Sequence, residues 1–260
     1  MSQPLITPDI EHLITEDDEP VDNIFSEKQQ RLLTEPLYSS WAGPGEGRTF
    51  VAMANVGVFY MAKNPAIVPD ALLSLDIELP EELWGKEHRS YFLWEYGKPP
   101  DVVIEVVSNK IGEEDGEKLK KYARMRVVYY LVFDPEQQIS DEVLRIYQLE
   151  GFHYIKRDST YFPEVKLGVT LWEGLFEGFH TTWLRWADAQ GNLIPTGKER
   201  AETERLRAET EKERAETERA RAETEKERAE TERKEKEAAL QRAEKLAALL
   251  RQLGQDPDKN

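Results

Sequence analysis

The pentapeptide Arg-Ala-Glu-Thr-Glu begins at residues 200, 207, 214, 221 and 228, and a seven-residue period is close to two turns of α-helix. Within it Glu precedes Lys or Arg by three positions, as in Glu209 and Lys212 or Glu223 and Lys226. Arg precedes Glu by four, as in Arg207 and Glu211. Pairs at these spacings are neighbours on a helix surface and support it. Residues 198–253 are therefore predicted as one long charged helix or coiled coil, roughly 84 Å long if unbroken. Two states of it stay open. Ala201, Ala208, Ala215, Ala222 and Ala229 share one heptad position, but the position that would complete the seam holds Glu, which suits a solvated single helix. Ala239, Ala243, Leu246, Leu250 and Leu253 have 4-3 spacing, which suits a coiled coil closed by its last two heptads and hence self-association, a homodimer in the simplest case.

The repeat also divides the charge. From Lys198 onward there are 17 basic and 18 acidic residues, whereas the preceding body has 18 basic and 33 acidic and so carries almost all of the net charge of −16. An acidic body argues against broad electrostatic capture of nucleic acid, which needs clustered Lys and Arg. The absence of cysteine excludes a disulfide framework, cysteine-ligated zinc and a cysteine nucleophile, and it fits a reducing compartment. No signal-peptide pattern opens the chain, and the longest apolar run is Val127 to Phe133, so a cytoplasmic protein without a membrane span is expected.

Residues 1–22 are acidic and contain Pro4, Pro8 and Pro20, the composition of a mobile leader, and residues 254–260 are expected to be a disordered tail. Between the leader and the helix, residues 23–197 form the expected folded domain. Ser26 to Tyr38 reads as an amphipathic helix capped by Ser26, with Leu32, Leu33 and Leu37 at helical spacing. Gly43, Pro44, Gly45 and Gly47 then mark a turn. From Thr49 to Ile194 the predicted strands are FVAMANVGVFY, AIVPDALLSLD, RSYFLWEY, DVVIEVVS, VVYYLVFD, EVLRIYQLE, GFHYIKR and TTWLRWA. Glu150-Gly151 reads as a hairpin turn. One helix, Glu113 to Arg126, is acidic at its start and basic at its end, as the helix dipole favours, and it joins two apolar strands as a parallel βαβ crossover.

Alternation in DVVIEVV puts Asp101, Val103, Glu105 and Val107 on one face and Val102, Ile104 and Val106 on the other. A carboxylate in such a strand needs compensation, since an unpaired buried charge costs several kcal/mol. Asp70 lies in a second apolar setting, between Ile67-Val68-Pro69 and Ala71-Leu72-Leu73. Lys118 shares a helix face with Tyr122 and Met125 and can be turned toward the end of the Glu105 strand. Two carboxylates and an amine at one sheet edge can hold an oxygen-preferring divalent cation and orient a water for attack on phosphorus. Asp101 is either a third ligand or a strand-entry residue after Pro99-Pro100. Lys110 is a second source of the amine, and Glu27 a conjectural helix-borne acid. The four histidines have no metal-ligand spacing, and the aromatic runs Tyr91 to Tyr96 and Trp183 to Trp186 read as core rather than as base-stacking platforms.

In their order, Pro69-Asp70, Pro100-Asp101 through Ser108, Lys118-Leu119 with Tyr122, and Asp134-Pro135 resemble the Uma-two family of restriction endonucleases, in its cyanobacterial form with a helical tail. The resemblance is tightest from Val68 to Pro135 and looser to about Trp186. It implies an α/β, restriction-endonuclease-like core with a central mixed β-sheet flanked by helices, of the PD-(D/E)XK type. It also implies a magnesium-dependent phosphodiesterase, with manganese as a possible substitute, acting on nucleic acid and most simply on DNA. Asp70 and Glu105 would bind the metal, and Lys118 would assist the water. The family's wider pattern has lysine two residues after the acid, where this chain has Val107, so the amine must come from elsewhere. The rival reading is an inactive nuclease-fold scaffold that acts through its tail.

Overall fold

The computed structural model describes residues 9–10, 12–13, 23–45, 47–82, 84–108 and 114–252. Most of the expected leader, Lys110, Leu253 and the expected tail 254–260 lie outside the described residues. In chain order the elements are α1 (Ile24–Ser40), β1 (Phe50–Ala54), β2 (Val58–Phe59), β3 (Ala71–Leu75), β4 (Tyr91–Phe92), α2 (Leu93–Tyr96), β5 (Val102–Val106), a π-helical turn (Glu114–Lys118), α3 (Leu119–Met125), β6 (Tyr129–Phe133), β7 (Leu144–Glu150), β8 (His153–Arg157), β9 (Tyr161–Phe162), β10 (Leu167–Phe176), β11 (Phe179–Ala187) and α4 (Gly197–Gln252), with a 3-10 turn at Lys86–His88.

Six strands build a central mixed sheet in the order β1-β3-β5-β6-β7-β8. Only β5 and β6 run parallel, with Val102 opposite Tyr129 and Val106 opposite Phe133, and the chain between them passes through α3 as the expected crossover. The other neighbours are antiparallel. The fold is thus mixed α/β, as the strand and helix pattern implied. Both faces of β5 are covered, which explains its nearly uninterrupted apolar sequence. Val102, Ile104 and Val106 face a core that includes Leu33 and Leu37 of α1 and Leu167, Leu184 and Trp186 of the second sheet, ordered β11-β10-β9. Val103 and Val107 face the other core, with Tyr122 and Met125 of α3.

Several local expectations are corrected. Asn23, not Ser26, caps α1: its Oδ1 accepts from Ser26 N at 2.9 Å, and Ser26 is buried within the first turn. RSYFLWEY is not one strand, because only Tyr91–Phe92 pair and Leu93–Tyr96 form a single helical turn ended by Gly97 at φ +72°. FVAMANVGVFY is broken between β1 and β2, where Asn55 takes φ +55°, a left-handed conformation that Asn tolerates. The hairpin loop is Gly151-Phe152, with Glu150 opposite His153. Strand β10, absent from the expected set, pairs along its length with β11. The helix expected from Glu113 begins as a π-helical turn and ends at Met125, with Arg126 at φ +70° closing it.

The chain forms two compact units divided after Arg200. The second is the body of α4, which is unbroken to Gln252. In it Thr210, Thr217, Thr224 and Thr231 each donate to the carbonyl four residues back at 2.9 Å, so the repeat's one weak helix former is satisfied by the helix itself. The first turn of α4 belongs to the body. Thr196 and Glu199 form a reciprocal capping box, Thr196 N donating to Glu199 Oε2 at 2.7 Å and Glu199 N to Thr196 Oγ1 at 3.2 Å. The buried guanidinium of Arg185 donates to the same carboxylate at 2.6 and 2.9 Å. Among the described residues no helix is long and apolar enough to cross a membrane.

Candidate active site

The ladder between β3 and β5 stops at Ala71 opposite Ile104, so the residue before it in the chain, Asp70, arrives where β5 is no longer paired on its β3 side. Val106 N, which a longer ladder would have paired, donates instead to Asp70 Oδ2 at 2.8 Å. Pro69, one residue earlier, has no N–H with which to continue a ladder. The other oxygen, Asp70 Oδ1, accepts from Gln30 Nε2 of α1 at 2.8 Å. Asp70 is 7% exposed and is held by two donors from two different elements.

Glu105 lies on the α3 face of β5, as alternation required, and is 1% exposed. Its Oε1 accepts from the Tyr122 hydroxyl at 2.6 Å and its Oε2 from Lys118 Nζ at 2.9 Å. Lys118 is the last residue of the π-helical turn and Tyr122 lies one turn further on, so a single helix start supplies both partners. Lys118 remains about a quarter exposed and can reach solvent from the cluster.

Burial pushes the Glu105 carboxyl up to about 7, and the nearby charge of Asp70 pushes the same way; the ammonium of Lys118 and the Tyr122 hydrogen bond pull it down without overcoming burial. The ion pair with Lys118 is thus close to its protonation midpoint at neutral pH. Tyr122 is driven well above the ordinary tyrosine range by burial and by the charge of Glu105, and it stays a neutral hydrogen-bond donor.

The structure therefore brings Asp70, Glu105 and Lys118 to one end of β5. Asp101 is not among them. It stands at the opposite end of β5, where Oδ2 accepts from Leu75 N at 2.8 Å and from Lys98, the role of a strand-entry residue. Glu27 is on the exposed side of α1, paired with Arg31, and the α1 residue that reaches the cluster is Gln30. Its signal in the sequence is its place in the stripe Gln30, Leu33, Leu37, a polar residue at the spacing of buried ones. Val107, where the wider nuclease pattern has lysine, is buried in the α3-side core. Asp134 is also buried, and it caps a turn by accepting from the backbone N–H groups of Gln138, Ile139 and Ser140. The aromatic residues Tyr91, Phe92, Trp183 and Trp186 are core, as read from the sequence.

The fold is thus a mixed α/β core whose central sheet carries two carboxylates and a lysine at one end of β5. Residues 16–169 match the family model described as "Uma2: Putative restriction endonuclease", and the chain belongs to that family. No curated protein matches it.

Proposed function

We propose that this chain is a divalent-metal-dependent endonuclease that hydrolyses phosphodiester bonds of nucleic acid, DNA in the first instance, with Mg2+ held by Asp70 and Glu105 and Mn2+ able to replace it. The observation that carries this reading is the pair of buried carboxylates that raise each other's cost. Each of their four oxygens accepts a hydrogen bond that fixes its position. A shell of hard oxygens suits a hard cation. Among the described residues no three His, Cys, Asp or Glu side chains gather into a metal-holding group. A cation here would take two carboxylates and complete its shell with water and phosphate oxygens, the habit of Mg2+.

When bound, the cation supplies charge neutralisation at the phosphate and a water of lowered pKa. The protein's own part is positional. Gln30 and the Val106 N–H fix Asp70, and Tyr122 fixes Glu105. Lys118, about a quarter exposed and hydrogen-bonded to Glu105, orients the attacking water and stabilises charge developing on phosphorus's oxygens. It takes the place of the lysine that Val107 displaces.

The test is calorimetric titration of the full chain with MgCl2 and with MnCl2, run beside nicking of supercoiled plasmid DNA. Saturable binding of either ion together with metal-dependent nicking supports the reading. A folded protein that binds neither ion and cuts nothing overturns it in favour of the scaffold reading.

We also propose that α4 pairs with a second copy of this chain. Leu246, in the stripe with Ala239, Ala243 and Leu250, is 68% exposed, an apolar position that a second copy would cover. Sedimentation equilibrium should give a dimer for the wild type and a monomer for the double variant Leu246→Lys, Leu250→Lys. An unchanged dimer in that variant would exclude the seam.

A further inference from the structure

Five of the body's 18 basic residues fall within nine consecutive positions, Lys118 to Arg126, which contain no acid. In a body with 33 carboxylates this is a local reversal of charge, and α3 displays it beside the candidate site. The helix and the β7–β8 hairpin enclose a groove of about 700 Å³, walled by Lys120, Arg124 and Arg126 on one side and by Phe152 and His153 on the other. We propose that this groove is the track for the sugar-phosphate backbone of the nucleic acid flanking the scissile bond, an inference that rests on the nuclease reading above.

The spacing fits a polyanion. Lys118 touches Glu105. Lys120 and Arg124 are one turn apart, and Arg126 closes the helix. From Lys118 to Arg126 the axis advances roughly 12 Å, the span of three to four phosphates on one strand of a duplex at about 3.4 Å each. The far end is held in place. The Arg126 guanidinium lies over the Phe152 ring at 4.2 Å and donates to the Gly151 carbonyl, so its charge is fixed at the hairpin tip. Phe152 is 73% exposed there, an aromatic surface on which a base or sugar can rest. Glu117 pairs with Lys120 at 3.0 Å, but both side chains are more than half exposed, and such a pair gives way readily to a phosphate. An acidic peptide would satisfy the charge as well. The row of like charges ending on an exposed aromatic favours nucleic acid.

The test is fluorescence anisotropy of a labelled 20-base-pair DNA duplex with the full chain in EDTA, across a NaCl series, so that binding is read without cutting. The double variant Lys120→Glu, Arg124→Glu should bind at least about tenfold more weakly, with a salt slope shallower by about 2. Phe152→Ala should weaken binding without changing the slope. Lys63→Glu, an exposed lysine outside the groove, should leave both unchanged. The inference is overturned if the double variant binds as the wild type does, if Lys63→Glu weakens binding equally, or if the wild type binds poly-glutamate but no duplex. Loss of binding in the double variant with no nicking by the wild type would keep the groove and remove the nuclease reading. Wild-type nicking with unchanged binding by the double variant would do the reverse.

Discussion

Asp70→Asn and Glu105→Gln should each lower magnesium-dependent plasmid nicking by about 10³-fold, the scale on which losing a group that stabilises transition-state charge is felt. Both substitutions keep the side chain's size, and the amide oxygen can still accept from one of the two donors at each position, Gln30 or Val106 N at residue 70 and Tyr122 or Lys118 at residue 105, while the amide nitrogen gives up the other. Far-UV circular dichroism should therefore match the wild type. Lys118→Ala should cost about 10²- to 10³-fold while leaving Mg2+ binding intact by calorimetry, because the amine acts on water and phosphate rather than on the ion. That split between binding and turnover separates the lysine from the acids. Equal nicking by Glu105→Gln and the wild type would remove Glu105 from the reaction.

The second large effect is on stability. A carboxyl whose pKa rises from 4.5 in the unfolded chain to about 7 in the fold holds a proton in the folded state that the unfolded state has released. The unfolded state then binds fewer protons than the native state between pH 4.5 and 7. The stabilising contribution of Glu105 is therefore complete at the acid end and is lost as the pH rises through 7. The loss is roughly 3 kcal/mol at 1.36 kcal/mol per pH unit. Urea unfolding of metal-free protein at pH 5, 6, 7 and 8 should show this decline, and Glu105→Gln should flatten it. The body's surplus of acids also weakens the fold as pH rises, so the difference between wild type and variant isolates the one carboxyl. Mg2+ should restore stability at pH 8 and do little at pH 5, where the protonated acid no longer attracts it. Parallel profiles for the two proteins, with and without Mg2+, would show that Glu105 titrates normally.

What could be read from the sequence followed the strength of the local pattern. Strand β5 was legible because alternation, a carboxylate out of place and a crossover helix with the right polarity all lie within 25 residues, and the structure returns both faces as read. The long helix was legible from its period. RSYFLWEY was not, since a short aromatic run fits a strand and a buried helical turn equally, and Gly97 decided the matter by closing the turn. Strand β10 was hidden by its glycines and by an outward face that carries Leu171 and Leu175. Gln30 escaped because its role exists only when α1 docks against Asp70, 40 residues away. Asp101 stayed open between a ligand and a strand-entry residue for the opposite reason. One strand carries both acids, and only the pairing with β3 shows that they stand at opposite ends.

The candidate site has two halves of different reach along the chain. Glu105 meets Lys118 and Tyr122 across 13 and 17 residues, within one βαβ unit. Asp70 meets Val106 across 36 residues and Gln30 across 40, after a further strand and the first helix have been brought in. Contacts close in sequence cost less chain entropy to close and form sooner. During refolding of the full chain the glutamate half should thus exist for a time without the aspartate half, and a chain in that state has one carboxylate where two are needed. If the protein cuts DNA, its order of assembly is also its safety catch: a partly folded molecule is harmless, and competence arrives with the last long-range contact.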